Sequence, residues 1–386
     1  MSRRWMQFRL EPSARNRGYF SLIFPDAAVR YVPIPNGLPL LAHVDARGRR
    51  VQVDPVDGRL EPLPLADGLV ATMKLRLGAL RGAALDYRGV AIVPGGAHSA
   101  GRRFRKHLEA AERHDCPWDG PFIAAHPEIV VGWPHEPARP HAPAAEPRVA
   151  VALHLYYTEL WDEFETLLAR WRLPFRLFLT HNGDNAGLEA RVRRTFPDAV
   201  VRQVDNSGRD VRPFLLWLEE GAFDGFEVVC KLHGKRSLGG GRLPVFGDAL
   251  RRANLHDLVA DAERVEALAR RFETSPELGL VGSARFLSAS TRAEPKDVLG
   301  TNRPGVVKLA ERLGAPLTEP DYDFFEGTMF WARPKALAPL ARIRLSAGAF
   351  EPEAGRLDGA TEHAVERIFN HVTRMAGYRV ETTRAD

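Results

Sequence analysis

The sequence has almost no cysteine: the chain of 386 residues contains only Cys116 and Cys230. Two cysteines that lie far apart cannot build a disulfide framework, and they cannot form a zinc site without several histidines. We therefore expect two unpaired thiols and a protein of a reducing compartment.

Long apolar runs are also missing. No stretch approaches the roughly 20 consecutive apolar residues that a membrane-spanning helix requires. The basic residues near the N-terminus, Arg3 and Arg4, are not followed by the continuous apolar region of a secretory signal. These two absences predict a cytoplasmic protein that is at most peripheral to the inner face of the cell membrane.

Lysine is scarce as well, and arginine supplies most of the positive charge. Seven of the 54 basic residues are lysines, and the formal net charge is +5. The arginines are interleaved with acidic residues along expected helices, as in residues 261–271, which gives paired charges on a solvated face rather than a stripe of one sign. We therefore expect no nucleic-acid binding, while attraction to acidic phosphates or to an anionic membrane surface stays open.

One segment divides the chain by its composition. Residues 134–147 contain five prolines and no bulky apolar residue, which predicts a semi-rigid linker because proline blocks both helix and central strand. Residues 1–133 have short apolar runs between turn residues, which predicts a small strand-rich module, with a helix over residues 102–113. No catalytic arrangement is recognisable in this module. Residues 148–386 form the second predicted domain.

After the linker the pattern becomes an alternation of strand and helix. Residues 149–156 are a nearly continuous apolar run, typical of a strand covered on both faces, and residues 160–171 carry apolar side chains at helical spacing. Four further strands are expected, at residues 175–179, 199–204, 227–231 and 278–281. This succession predicts a doubly wound, mostly parallel α/β sheet whose ligand site lies at the carboxyl ends of the strands.

The loop at residues 205–210 follows the third predicted strand. Gly208 permits a tight turn, and Asn206 or Asp210 can cap the helix that follows. A well-capped turn would explain the loop without any function. Because the loop lies on the predicted ligand edge and also carries Arg209, we favour a functional role.

A basic segment follows the fourth predicted strand directly. Lys231, His233, Lys235 and Arg236 place four cationic or hydrogen-bond-donating groups within six residues. Such a cluster could neutralise a diphosphate leaving group without a metal. A solvated basic turn is the competing interpretation, and the adjoining buried strand makes it less favourable.

Residues 324–333 are rich in aromatic side chains, which predicts that the Phe and Trp residues pack in the core. Just before them, Asp321 and Asp323 form a D-x-D pattern. Paired acids at this spacing can chelate Mg²⁺ or Mn²⁺ between phosphates, but they precede a different strand from the expected one. We therefore favour a surface loop, with these two aspartates as the candidate ligands if a metal is bound.

A helix predicted from about residue 360 begins beside two acids, Asp358 and Glu362. The helix dipole favours ionised carboxylates at this end, and acids in this place usually serve stability. A general base for a sugar hydroxyl would also need a carboxylate held in such a position.

Five segments together resemble the rhamnan synthesis protein F family of bacterial polysaccharide glycosyltransferases. Their order and spacing match over nearly all of residues 149–378, whereas residues 1–133 lie outside the match. The matching segments are residues 152–157 with 160–161, 206–214, 230–237, 327–334 and 358–367.

The resemblance implies a GT-A-like fold and a role in the assembly of cell-surface polysaccharide. The implied donor is dTDP-L-rhamnose, and the implied acceptor is a lipid-linked glycan at the cytoplasmic membrane face. We hypothesise an inverting displacement at the anomeric carbon. The usual D-x-D of such folds follows the fourth strand, where this chain has Lys231-Leu-His233. No cofactor is therefore certain, and Mg²⁺ or Mn²⁺ stays open. Arg212, Gly234 and Glu326 depart from the family pattern, which leaves another donor sugar open.

The resulting hypothesis assigns a role to each candidate residue. Asp358 or Glu362 would deprotonate the acceptor hydroxyl, and His154, Tyr156 and Glu326 would contact the acceptor. The expected donor contacts are Asn206, Gly208, Arg209, Asp210, Lys231, His233 and Lys235. Two alternatives remain: a non-catalytic glycan-binding or scaffold module of the same fold, and a phosphotransferase that acts on surface glycans.

Overall fold

The computed structural model describes eight strands between residues 5 and 94 and most of the chain from residue 126 onward. Beyond those strands, the described ranges are residues 126, 128–133, 146–183, 186–234, 236, 244–289, 298–317, 322–352 and 358–383. The helix predicted over residues 102–113 and residues 134–145 of the predicted linker lie outside them. The chain forms two compact units, Met1–Gly132 with Arg236–Arg252 and Trp133–Lys235 with Ala253–Asp386.

The first unit confirms the predicted strand-rich module. Its strands are β1 (Trp5–Pro12), β2 (Tyr19–Ile23), β3 (Val29–Pro33), β4 (Leu40–Asp45), β5 (Gln52–Asp54), β6 (Gly58–Ala66), β7 (Leu85–Tyr87) and β8 (Val90–Pro94). They pair antiparallel in a five-stranded sheet of order β6-β1-β4-β8-β7 and a three-stranded sheet of order β3-β2-β5. A short helix, α1 (Glu128–Val131), follows.

The second unit confirms the predicted α/β class. Its strands are β9 (Val149–Leu155), β10 (Phe175–His181), β11 (Val200–Gln203), β12 (Val228–His233), β13 (Leu278–Gly282), β14 (Leu287–Ala289), β15 (Asp323–Phe325), β16 (Phe330–Ala332) and β17 (Arg379–Thr382). Seven of them form one sheet of order β11-β10-β9-β12-β16-β13-β17. All neighbours in this sheet run parallel except β16, which is antiparallel to β12 and to β13.

Helices cover both faces of this sheet. They are α2 (Trp161–Leu168), α3 (Ala186–Thr195), α4 (Val211–Glu219), the part of α5 (Pro244–Val259) that begins at Ala253, α6 (Ala262–Thr274), α7 (Arg303–Arg312), α8 (Pro334–Arg342) and α9 (Thr361–Met375). Alternate residues of β9 serve the two faces, because successive side chains of a strand point in opposite directions. Val151 and Leu153 pack with α2, α3 and α6, whereas Ala150 and Ala152 pack with α4 and α9.

The apolar residues that predict α2 are buried as expected. Trp161, Phe164 and Trp171 are at most 3% exposed, and Trp171 stacks on Trp331 of β16 with ring centroids 5.5 Å apart. Burial of each such side chain contributes roughly 1.5–3 kcal/mol. The aromatic residues Phe325, Phe330 and Trp331 are also buried, which confirms their predicted place in the core.

The parallel strands β9, β10 and β12 bring their carboxyl ends to one edge of the sheet. His154 of β9 lies beside Thr180 of β10 and beside His233 of β12, all near the carboxyl ends of their strands. The segment before β16 reaches the same edge, because β16 runs in the opposite direction. Among the described helices, none is long and apolar enough to cross a membrane.

Candidate functional site

The loop at residues 205–210 turns sharply between β11 and α4. Gly208 has a φ of +66° and Arg209 a φ of +50°, which is left-handed backbone in both cases. A Cβ on Gly208 would lie 2.6 Å from Cδ1 of Phe350 and 2.7 Å from Cβ of Arg212. Only glycine fits this position without a rearrangement, so the predicted tight turn is confirmed.

Asp210 occupies the N-cap position of α4, but its carboxylate makes no capping hydrogen bond. It accepts hydrogen bonds from Nζ of Lys231, at 2.6 Å, and from the hydroxyl of Thr328. The capping prediction is therefore wrong for Asp210, because a buried ammonium gives the carboxylate a stronger, charge-assisted partner. Asn206, the other predicted cap, is exposed in the loop.

The predicted basic cluster begins in the interior of the unit. Lys231 is 1% exposed, and its ammonium also donates to the carbonyl oxygen of Thr328, at 2.9 Å, and to the hydroxyl, at 3.2 Å. His233 is 5% exposed and donates from Nε2 to the carbonyl oxygen of Gly327, at 2.5 Å. A solvated basic turn is thus wrong for these two residues. Lys235 lies outside the described residues.

The charges of this cluster stabilise one another. Burial by itself would raise the pKa of the Asp210 carboxyl, but the nearby His233 and Lys231 and the hydrogen bonds from Lys231 and Thr328 outweigh it and lower that pKa well below its usual range. Asp210 is therefore ionised at neutral pH and balances the charge of Lys231. These contacts occupy the three N–H donors of Lys231, which leaves none for a diphosphate.

Arg209 points across the edge of the sheet to the first turn of α9. Its Nη1 lies 3.0 Å from Nε2 of His363, and its Nε lies 3.7 Å from Oε1 of Glu362. The Arg209 side chain is 36% exposed, whereas that of Glu362 is 9% exposed. Burial, and next the charge of Arg209, lowers the pKa of His363, so its imidazole is neutral at pH 7. The fold thus joins a half-exposed cation to a nearly buried carboxylate.

Asp358, the other acid predicted at this helix end, is engaged differently. Its carboxylate accepts a hydrogen bond from the hydroxyl of Thr301, at 2.9 Å, and another from the amide of Asn302, and it lies 3.5 Å from the guanidinium of Arg367. Burial would raise the pKa of Asp358, but the hydrogen bonds from Asn302 and Thr301 and the charge of Arg367 lower it. A lowered pKa makes the carboxylate a weaker base, and its oxygens already hold the segment before α9 in place.

The three predicted acceptor residues are not equally accessible. Tyr156 is 46% exposed, and Glu326 is exposed in the turn before Gly327. His154 is only 6% exposed, and its Nδ1 lies 3.0 Å from the hydroxyl of Thr180. A direct acceptor contact therefore suits Tyr156 and Glu326, while His154 belongs to the interior.

The buried imidazole of His154 predicts a pH-dependent stability. Burial lowers its pKa from 6.5 to about 3, even though Asp210 acts in the opposite direction. The folded chain keeps His154 neutral, whereas the unfolded chain takes up a proton below pH 6.5, so stability falls as the pH falls from 6.5 towards 3. We expect His154 to remove roughly 2–3 kcal/mol of unfolding free energy between pH 6.5 and pH 4.5.

Urea unfolding of the wild type and of His154→Leu at pH 7.5, 6.5, 5.5 and 4.5 measures this contribution. The difference between the two unfolding free energies should change by about 1.4 kcal/mol per pH unit below 6.5 and stay constant above it. Parallel curves over the whole range would show that His154 does not stay neutral in the folded chain.

Among the described residues of this edge, those at the two candidate D-x-D positions do not fit a divalent cation. The place expected for a D-x-D holds the buried Lys231, whose ammonium would repel a metal from Asp210. Asp323 begins β15 rather than lying in a surface loop, and its carboxylate accepts hydrogen bonds from Arg374, at 2.6 and 2.7 Å, and from Asn370, at 3.0 Å. The surface-loop prediction is therefore wrong for Asp323; Asp321 lies outside the described residues.

Three residues at this edge escaped the sequence analysis. Thr328 binds the Asp210–Lys231 pair, Glu366 accepts a hydrogen bond from the backbone N–H of Gly327 at 2.9 Å, and His363 contacts Arg209. All three lie inside the segments that carry the family resemblance. Their positions in those segments were visible, but nothing in the pattern showed that residues 327–334 and 358–367 meet the loop of Arg209 and Asp210.

The fold and these contacts define an α/β protein with a charged site at the carboxyl edge of a mostly parallel sheet. The chain belongs to the rhamnan synthesis protein F family, which it matches over residues 135–378. This finding confirms the resemblance identified from the sequence.

Curated relatives are similar to part of the chain. The protein WxcX of Xanthomonas campestris pv. campestris is 31% identical over 237 residues, which are 61% of this chain and 33% of WxcX. The chain thus spans about a third of the length of the curated relatives that it matches.

Two solved structures show distant similarity. Residues 1–349 of S. aureus TarS share 12% identity at a TM-score of 0.31, with 61% of this chain and 57% of that chain covered. A putative nucleotide-diphospho-sugar transferase from Desulfovibrio desulfuricans G20 shares 11% identity at a TM-score of 0.26, with 61% and 79% covered. Likeness at this level carries no argument about function.

Proposed function

We propose that the second unit is a glycosyltransferase of bacterial cell-surface polysaccharide synthesis that uses a nucleoside-diphosphate sugar. In its more specific form, the donor is dTDP-L-rhamnose, the acceptor is a lipid-linked glycan at the cytoplasmic membrane face, and the transfer inverts the anomeric carbon. Membership of the rhamnan synthesis protein F family supports the reaction class. The contact between Arg209 and Glu362 at the carboxyl edge of the sheet carries the site assignment.

The proposed chemistry needs one base and one cation at this edge. Glu362 removes the proton of the acceptor hydroxyl while the hydroxyl oxygen attacks the anomeric carbon. The bond from that carbon to the diphosphate oxygen breaks, and the leaving group departs as a nucleoside diphosphate. Arg209 binds the negative charge that develops on this diphosphate, since a guanidinium pairs well with phosphate oxygens.

Other candidate residues support the two reactants. Asn206 is exposed beside Arg209 and can reach hydroxyls of the donor, while Gly208 lets the backbone approach it. Lys235 follows β12 along the chain and is proposed as a second diphosphate contact. Tyr156 and Glu326 are the exposed acceptor candidates. We prefer Glu362 to Asp358 as the base, because the oxygens of Asp358 are already hydrogen-bonded.

Thermal unfolding with added nucleotides tests the proposal. A nucleoside diphosphate at 100 times its Kd should add about 2.7 kcal/mol of stability. We expect dTDP to raise the Tm by roughly 5–10 °C, with UDP and GDP as comparisons and with no effect of EDTA. Arg209→Ala should abolish the shift, whereas Arg379→Ala, at the exposed start of β17, should keep it.

A sugar-transfer assay of the purified protein distinguishes a glycosyltransferase from a scaffold module and from a phosphotransferase. Incubation with dTDP-L-rhamnose and a lipid-linked acceptor, with and without EDTA, should release dTDP and lengthen the glycan. A folded protein that no nucleotide stabilises would be a binding or scaffold module instead. Phosphate incorporated into the acceptor would indicate a phosphotransferase, and loss of transfer in EDTA would restore a metal to the mechanism.

A further inference from the structure

Two strained residues adjoin one partly buried carboxylate, that of Asp210. Among the described residues, only Arg209, Thr328 and Arg344 have positive φ without being glycine. Arg209 precedes Asp210 in the chain, and the hydroxyl of Thr328 donates to the Asp210 carboxylate. Left-handed backbone costs about 1–2 kcal/mol for a non-glycine residue and more for a β-branched one, so the surroundings must hold it.

The surroundings of Thr328 do hold it from several directions. Lys231 donates to the carbonyl and hydroxyl oxygens of Thr328. The adjoining Gly327 has a φ of +86°, and both its N–H and its carbonyl oxygen are hydrogen-bonded. His233 donates to the carbonyl oxygen of Gly327, and Glu366 accepts from its N–H. We call Gly327 and Thr328 the clamped turn. The three elements that clamp it are α4, β12 and α9.

A buried ion pair is poor evidence of stability. Removing two charges from water is costly, and well-packed apolar residues of similar volume often replace such a pair with no loss. What a buried pair can supply is a unique conformation. Here the pair joins the loop that carries Arg209 to the clamped turn, which follows the exposed Glu326.

We propose that Asp210 and Lys231 are positioning residues that hold Arg209 and the clamped turn in the donor-binding arrangement without contacting the donor themselves. The proposal rests on the proposed function and replaces the interpretation of Asp210 and Lys231 as direct donor contacts. The ammonium of Lys231 is buried, and its three N–H donors bind Asp210 and Thr328. Its charge is therefore compensated inside the protein. Arg209 remains the half-exposed cation that meets the diphosphate.

The two roles of Lys231 predict opposite results for Asp210→Asn. If Lys231 contacted the diphosphate, removing the charge of Asp210 would free the ammonium and leave dTDP binding unchanged or tighter. If the pair positions Arg209, Asp210→Asn should weaken dTDP binding about tenfold or more. Lys231→Met should do the same, and the double variant should lose no more than the worse single variant, because both changes break one interaction.

Calorimetric titration of dTDP into the wild type, both single variants and the double variant distinguishes these cases. A single variant that leaves an unpaired buried charge could fail to fold, and the double variant, which carries no charge at either position, avoids this. Thr328→Ala removes the hydroxyl that joins the turn to Asp210 and to Lys231, together with the γ-methyl group. We expect it to weaken dTDP binding several-fold, and Thr328→Ser should restore wild-type affinity, a rescue that a general loss of stability would not produce.

A second buried ion pair provides the control. Asp248 and Arg251 of α5 are both at most 3% exposed in their side chains and lie 2.6 Å apart. Asp248→Asn with Arg251→Met should change the Tm without changing the dTDP affinity of the folded protein. Tighter or unchanged binding by folded Asp210→Asn, or a further tenfold loss on adding Lys231→Met, would overturn the positioning role alone. A folded wild type that binds no nucleoside diphosphate would overturn the proposed function and this inference with it.

Discussion

Glu362→Gln is expected to reduce the turnover of sugar transfer by about 100-fold or more while the fold and donor binding survive. Glutamine has the size and polarity of glutamate but cannot accept the proton of the acceptor hydroxyl, and a positioned general base contributes 10²–10⁴-fold. Glu362 lies in the first turn of α9 with Arg209 as its ion-pair partner. The expected loss therefore falls on kcat, with little increase in the KM for the donor.

Steady-state kinetics of three variants separates the candidates for the base. Asp358→Asn should lower the Tm, because it weakens the hydrogen bonds from Thr301 and Asn302, while kcat at a temperature below unfolding stays near the wild-type value. Glu311→Gln, on the exposed surface of α7, should change neither. An inactive Asp358→Asn beside a normal Glu362→Gln would assign the base to Asp358, and normal turnover in both would leave the site without a carboxylate base.

Gly208→Ala is expected to destabilise the second unit by about 2–5 kcal/mol and to abolish nucleotide binding. The new Cβ would meet Phe350 and Arg212 at distances that no ordinary contact allows, and overpacking of this kind costs about 1–3 kcal/mol. The left-handed backbone, with a φ of +66°, adds about 1–2 kcal/mol. The clash with Phe350 and Arg212 can be relieved only if the loop at residues 205–210 moves, and Arg209 would move with it.

Gly314→Ala is the matched control for this effect. Gly314 has a φ of +75°, but nothing lies within 4 Å of its Cβ position. Its substitution should cost only the strain of about 1–2 kcal/mol and leave nucleotide binding unchanged. Chemical unfolding and dTDP titration measure both effects. Equal losses in the two variants would show that the packing of Phe350 against Gly208 does not constrain the loop.

The positions of the elements could be predicted because the signals are local. The apolar run of β9 and the helical spacing of α2 predicted buried elements, and both are buried in the structure. The sheet order could not be predicted in the same way. β16 enters between β12 and β13 although it follows β13 by almost 50 residues in the chain, and no local pattern encodes such a pairing.

The site was predictable as a set of segments but not as a set of contacts. Polar loops after buried strands indicated the carboxyl edge, and the family motifs contained the charged residues that meet there: Arg209, Asp210, Lys231 and Glu362. The prediction failed where a side chain had two possible hydrogen-bond partners. The Asp210 carboxylate was predicted to cap the N-terminus of α4, but it binds the ammonium of Lys231. The choice depends on a group 21 residues away, which becomes available only when β12 is in place.

The sequence by itself determined the α/β class, the family and the loops that form the site, because these depend on periodicity, on turn residues and on motif spacing within short segments. The tertiary structure decided which charges face solvent. It buried Lys231 against Asp210 and Thr328 and left Arg209 half exposed beside Glu362. The physical reason is desolvation: a charge enters the interior only where a partner of opposite sign compensates it, and that partner is supplied by the fold.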